Sequence, residues 1–135
     1  TLWHVMEHLE HLNETWEMLR ELLTEKGMLI VAVPNCSSYD AGRYGEYWAA
    51  YDVPRHLWHF TPVTIQQLAS RHGFIMAARH PMPFDAFYVS MLSEKHRGSS
   101  CSFLKGMYAG TLAWFSTLGR KERSSSMIYV FRKKR

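Results

Sequence analysis

An α/β fold, in which helices pack against a sheet, is what the order of elements along the chain predicts. Three observations carry it. Residues 13–25, NETWEMLRELLTE, place Trp16, Leu19, Leu22 and Leu23 at helical spacing. Residues 28–33, MLIVAV, are apolar without interruption and of strand length, as a strand buried on both faces requires. Residues 74–79 and 127–131 supply two further strand-like runs, with helical stretches between the three. At 135 residues and 15.8 kDa the chain has room for one core.

Taken in order, Asn13 is placed to cap the first helix, with Glu14 and Glu17 favourable in its opening turns, and Lys26-Gly27 supplies a stop. Pro34-Asn35 closes the apolar strand. Residues 36–60 have no clear period but hold Tyr39, Tyr44, Tyr47, Trp48, Tyr51, Trp58 and Phe60. So many rings in a loop-like stretch predict an ordered cover, because exposed aromatic surface is unfavourable unless it packs or binds. Thr61-Pro62 opens a helix through about His72, ended by Gly73. Phe74 to Arg79 reads as a strand, and Pro81 and Pro83 then break the chain.

Residues 84–96 predict a helix with Phe84, Phe87, Tyr88, Met91 and Leu92 on one side, and 98–102 a loop. Residues 103–118 predict a second apolar helix, in which Gly106 and Gly110, four apart, leave space for another helix to approach. Met127 to Phe131 is the last strand. Three strands and an N-terminal stub make a narrow sheet, and no internal repeat is present.

The composition is that of an ordinary globular protein, with 47% apolar and 21% charged residues, which excludes disordered and collagen-like classes. Cys36 and Cys101 lack CxxC spacing, so neither a zinc ribbon nor a disulfide framework is signalled, and a reducing cytoplasm fits. The net charge of +4 is uneven. Residues 1–34 carry two Lys/Arg and six Glu, whereas residues 71–135 carry twelve Lys/Arg and three acids. Such a basic half can meet nucleic acid, an anionic lipid surface or an acidic partner, but its only dense run, Arg132 to Arg135, reads as a solvated strand end and tail. No apolar stretch approaches a membrane span.

Two polar clusters can carry chemistry. His4, Glu7 and His8 would share one face if their segment were helical, offering two imidazoles and a carboxylate to a metal ion. The same spacing satisfies the H-x-x-E-H pattern of inverted zinc peptidases. The plainer reading is a strand-to-helix turn with solvent-facing histidines. The second cluster, Asp52 to Pro62, combines Arg55, His56 and His59 with aromatic walls, the parts of a substrate pocket; alternatively Arg55 pairs with Asp52 and pins the loop. No GxGxxG or P-loop occurs in the sequence.

The string LWHVMEHL at 2–9, the helix ending LLTEKG, the strand MLIVAVPN, then DVPRHLWHFTP and the helix ending RHGF together resemble the C-terminal half of a class I S-adenosylmethionine-dependent methyltransferase. The resemblance is to a bacterial subgroup with an EHL turn and a PRHLxHF signature, and it spans residues 1–79. Residues 80–126 share only the architecture, as a variable helical insertion, and 127–135 would be the last strand and basic tail.

The resemblance implies the C-terminal part of a Rossmann-like sheet, three strands plus a stub with helices on both faces, in one partial domain of residues 1–135. Strand 28–33 would lie beside 127–131, with 74–79 outermost and antiparallel to the latter. In that family the glycine-rich cofactor loop comes from the first strands, which this sequence lacks, so the chain alone is expected to bind S-adenosylmethionine weakly and to be inactive. Trp3 and His4 would face the cofactor. His4, Glu7 and His8 would be catalytic, with His4 or His8 as base, and a divalent metal at His4, Glu7 and His8 is a further implication. Asn35, Trp48, Tyr51, Arg55, His56 and His59 would form the substrate side and lid, closing on a small-molecule or glycan acceptor. The open sheet edge implies pairing with the missing N-terminal half, a partner chain or a second copy. Outside methyl transfer, two other classes remain open: a non-catalytic interaction module and the zinc hydrolase.

Overall fold

The structure, a computed structural model, describes residues 1–134; of the expected basic tail, Arg135 lies outside the described residues. Four strands form one mixed sheet: β1 (Leu2–Trp3), β2 (Leu29–Pro34), β3 (Phe74–Met82) and β4 (Ser126–Lys133), in the spatial order β1-β2-β4-β3. β1 is parallel to β2, and β4 runs antiparallel to both β2 and β3. The order β2-β4-β3 and the antiparallel pairing of β3 with β4 are those the family resemblance led us to expect. Consequently β1, β2 and β3 all point their carboxyl ends to the same edge of the sheet.

Five helices accompany the strands: α1 (Leu12–Leu22), α2 (Tyr39–Tyr44), α3 (Pro62–Arg71), α4 (Asp85–His96) and α5 (Ser102–Gly119). None among the described residues is long and apolar enough to cross a membrane. α1 and α3 pack on the face of the sheet that carries Val31, Val33, Met127, Tyr129 and Phe131. Trp16 of α1 is fully buried there, edge-on to Phe74 and Phe131 with ring centroids 5.3 and 5.4 Å away. Each such side chain withdrawn from water contributes about 1.5–3 kcal/mol, so this layer is the main source of cohesion. On the opposite face Ile30, Ile128 and Val130 are only half-buried and join neither apolar cluster, so the expected cover by helices on both faces is partial. The second cluster, with Ala41, Tyr44, Trp48, Val89 and Ala109, joins α2, α4 and α5.

Several local expectations are corrected. Asn13 does not cap α1: the helix starts after His11 without a side-chain cap, and Asn13 Oδ1 instead meets His72 Nε2 at 3.0 Å. α1 also stops at Leu22, before Gly27, because Leu23 turns extended and packs against the core. Within the 36–60 cover, α2 forms unforeseen, its first turn capped by Ser38, whose Oγ accepts from the Ala41 N–H at 3.1 Å. β3 continues through Pro81 to Met82, which an edge strand tolerates because its outward N–H groups need no partner. At Thr61 the expectation holds: a capping box with Thr64 opens α3, and Gly73, at φ +76°, follows it.

α4 is turned only partly as expected: Phe87, Met91 and Leu92 are part-buried, but Phe84 and Tyr88 are not. Ala86, Ser90 and Ser93 are buried, while Phe84 and Tyr88 are 75% and 63% exposed. The reason lies in α5. A Cβ on Gly106 would stand 2.5 Å from the Met91 Cα, and one on Gly110 2.8 Å from the Phe87 Cα. The paired glycines do admit α4 at backbone contact, opposite Met91 and Phe87, and that rotation leaves Phe84 and Tyr88 outside.

Candidate functional site

A cleft of about 650 Å³ opens at the carboxyl ends of β1, β2 and β3, where open α/β sheets place their ligands. Trp3 and His4 from the end of β1, Glu7 from the turn after it, Arg55 and His56 from the cover, and Asp85 at the start of α4 all line it. Met82, Tyr88, Leu92 and Pro34 give it apolar walls.

Residues 6–8 form a single 3-10 turn, and His4 lies outside it with a left-handed φ of +50°. The helix that H-x-x-E-H needs is therefore absent, and with it the basis of the zinc peptidase reading. The left-handed bend, uncommon for a residue with a side chain, carries the His4 ring between two carboxylates. Its Nδ1 stands 3.4 Å from Glu7 Oε1 and its Nε2 3.6 Å from Asp85 Oδ2. The Asp85 carboxylate first, and then Glu7, favour the charged ring, outweigh partial burial and raise the His4 pKa from 6.5 to about 9. At neutral pH His4 is thus an imidazolium, which corrects its expected use as a base.

Glu7 is 1% exposed, and neither carboxylate oxygen has a hydrogen-bond partner among the described residues. Its backbone carbonyl accepts from the N–H groups of Leu57 and Trp58, which ties the turn to the cover. His56 Nε2 lies 4.0 Å from Glu7 Oε1 and 3.9 Å from Asp52 Oδ2. His56 Nδ1 donates to the Ala50 carbonyl at 2.8 Å and His8 Nδ1 to the Arg55 carbonyl at 2.9 Å, since a carbonyl only accepts, and Nε2 is left free on each ring. Glu7, His8 and His56 bring one ligand atom each within 4.8 Å of one another. One carboxylate and two imidazoles suit a divalent transition metal, and a buried carboxylate that accepts no hydrogen bond fits a site that receives a cation or a donor. The metal-competent set is thus Glu7, His8 and His56, not His4, Glu7 and His8.

The remaining expected residues divide. Arg55 borders the cleft but is held by Asp52, whose Oδ1 accepts from Nη2 at 2.7 Å and Nε at 3.1 Å. Asn35 does not face the cleft: it is buried, with Nδ2 donating to the Glu122 and Ser124 carbonyls and Oδ1 accepting from the Ser37 N–H and hydroxyl. Trp48 is likewise in the core, its Nε1 donating to Asp40 at 2.8 Å. Tyr51 packs edge-on against Trp48 and His59, while His59 borders a separate cavity of about 260 Å³. The buried rings of the cover are used in packing, Tyr44 and Trp48 against α4 and α5 and Phe60 in the main core, which is why they do not mark the site.

Sequence reading missed Asp85, and a signal for it existed. The basic stretch 71–135 holds three acids, Asp85, Glu94 and Glu122, and each is pinned: to His4, to the Tyr44 hydroxyl at 3.2 Å, and to Arg79. An acid kept amid cations reports a specific partner.

A sequence profile for the family described as "Methyltransferase domain" matches residues 1–78, more than half of the chain. The match takes in β1, the Glu7 turn, β2 and the cover, and stops within β3 before α4 and α5. No curated protein matches the chain significantly.

Proposed function

The chain belongs to the methyltransferase-domain family, and from that premise we propose that it forms the acceptor side of a site for methyl transfer from S-adenosylmethionine to a small-molecule or glycan acceptor. One observation carries the reading: the buried Glu7 carboxylate, at ion-pair distance from His4 but without a hydrogen bond among the described residues, lines a cleft at the carboxyl ends of β1, β2 and β3. Bound there, the cofactor would supply an electrophilic methyl group. The chain's own part is to hold the acceptor in line and to take up its proton.

Trp3, 53% exposed beside the cleft, offers a flat apolar surface to an adenosyl or acceptor ring. His4, charged and held by Glu7 and Asp85, presents fixed positive charge rather than a proton acceptor. Without a metal ion, proton uptake falls to the free Nε2 of His56 or His8; with one bound, those nitrogens are ligands instead. A divalent cation at Glu7, His8 and His56 would orient an acceptor oxygen and favour its ionised form. The subgroup with the PRHLxHF signature fits the way Pro54 to Phe60 closes over Glu7, with Leu57 and Trp58 bonded to its carbonyl.

A non-catalytic module is the second reading, and the open edge of β1 favours it. The outer edge of β1 has no strand partner among the described residues, which suits pairing with further strands, a partner chain or a second copy. Calorimetric titration separates the readings. With these residues alone, S-adenosylmethionine should bind weakly or not at all, and micromolar affinity would refute the assignment of the main cofactor contacts elsewhere. In an active form that includes cofactor-binding strands, Glu7→Ala and His8→Ala should lower turnover more than cofactor affinity; equal losses would indicate a structural role.

A further inference from the structure

We propose that α5 docks the protein on an anionic lipid bilayer, lying along the interface rather than crossing it. The helix is apolar all round, yet only one side is covered. Gly106, Ala109, Gly110, Ala113 and Thr117 face α4 and are buried. On the other side Leu104, Tyr108, Phe115 and Leu118 recur at helical spacing and are 68%, 63%, 56% and 67% exposed. A helix with a large apolar outer stripe is stable in water only where something covers that stripe. Phe84 and Tyr88 are exposed on the neighbouring α4, and Tyr88 also lines the cleft.

Charge selects the occupant. From residue 95 to 121 the chain carries Lys95, Arg97, Lys105, Arg120 and Lys121 and no Asp or Glu. A second copy docked through the same face would oppose like charges across the contact, whereas phosphate headgroups neutralise them. Exposed Phe and Leu with a ring-hydroxyl Tyr and flanking cations are the side chains that settle at the headgroup boundary. No described helix is long and apolar enough to span a membrane, so surface docking is the mode that fits. The family match ends at residue 78, so this face is additional to the methyltransferase reading and does not depend on it.

Flotation with vesicles tests it directly. The protein should float with vesicles of phosphatidylcholine mixed with phosphatidylglycerol, remain behind with phosphatidylcholine alone, and lose association as salt rises. Each cation at the surface contributes about fivefold to partitioning, so Lys105→Glu with Lys121→Glu should abolish the preference for the anionic vesicles. Leu104→Ser with Phe115→Ser should weaken association at least about tenfold. Both pairs change exposed positions, and unchanged thermal unfolding shows that they fold. Failure of the unaltered protein to float, or equal flotation of the variants, overturns the proposal. So does a concentration-dependent dimer, seen by light scattering, that Leu104→Ser with Phe115→Ser dissociates, because the face would then join two copies.

Discussion

Replacing His4 by Asn should change how stability depends on pH, and the structure gives both the sign and the size. Asn tolerates the left-handed φ of +50° at this position, so the backbone bend survives and only the titrating ring is lost. The His4 pKa rises from 6.5 to about 9 through Asp85 and Glu7. A raised histidine pKa stabilises the folded state fully below the unfolded value, and that contribution disappears as pH climbs through the folded value. Each pKa unit corresponds to roughly 1.4 kcal/mol, which sets an upper bound of about 3 kcal/mol. The ring is 34% exposed, and solvent screening reduces the expected figure to about 1 kcal/mol. Urea unfolding of both proteins from pH 6 to pH 10 measures it: the stability difference should shrink between 6.5 and about 9. An NMR titration of the His4 ring in an Asp85→Asn variant should move its pKa back toward 6.5, because Asp85 is the larger cause. Parallel pH profiles, or a His4 ring that titrates at or below 6.5 in the unaltered protein, would refute the reasoning.

Gly106→Val and Gly110→Val place a branched side chain against the α4 backbone, which cannot yield as a side-chain tip can, and each should destabilise by about 1–3 kcal/mol in chemical unfolding. Unchanged midpoints would mean that α4 and α5 are not in backbone contact. Asn35→Ala removes four hydrogen bonds and orphans two carbonyls of the segment leading into β4, for a loss of about 2–4 kcal/mol; an effect on ligand affinity without one on stability would instead place Asn35 in the site. Thr61→Ala removes the capping box of α3 and should lower stability by about 0.5–2 kcal/mol, with a null result indicating that Thr64 or water replaces it.

The fold was legible where one residue pattern has one low-energy solution. The unbroken apolar run at 28–33 suits an interior strand, and it is flanked on both sides, by β1 and β4. Thr61-Pro62 and Gly73 bound α3 because each satisfies a local backbone requirement without help from elsewhere. What failed depended on contacts between distant segments. The rings of α4 and α5 read as two core-facing stripes, but α4 meets Gly106 and Gly110 through Met91 and Phe87, and in that orientation Phe84 and Tyr88 stay outside. Which surface is buried was decided by the seam between the helices, and neither helix shows that seam alone. Asn13 had the chemistry of a cap, yet His72 brought a competing hydrogen bond from across the layer.

The candidate site divides along the same line, and here the division concerns chemistry as well as position. The residue types at 4, 7, 8 and 56 were enough to mark a polar centre, since imidazoles and a carboxylate set among apolar neighbours are disfavoured without a use. Their roles were not readable, because a protonation state belongs to a pair. His4 read from spacing is an imidazole beside one carboxylate on a helix face, and a base. Bent into the left-handed region, it meets a second carboxylate on α4, Asp85, beyond the family match, and becomes a cation. Glu7 shows the converse: with His4 shared with Asp85, its carboxylate keeps only ion-pair distances of 3.4 and 4.0 Å and no hydrogen bond, so it has much to gain from a ligand. The residues that set this balance come from α4 as well as from the family-matched half, and substitutions at Asp85 should therefore act on the site through His4 as strongly as substitutions inside the Glu7 turn.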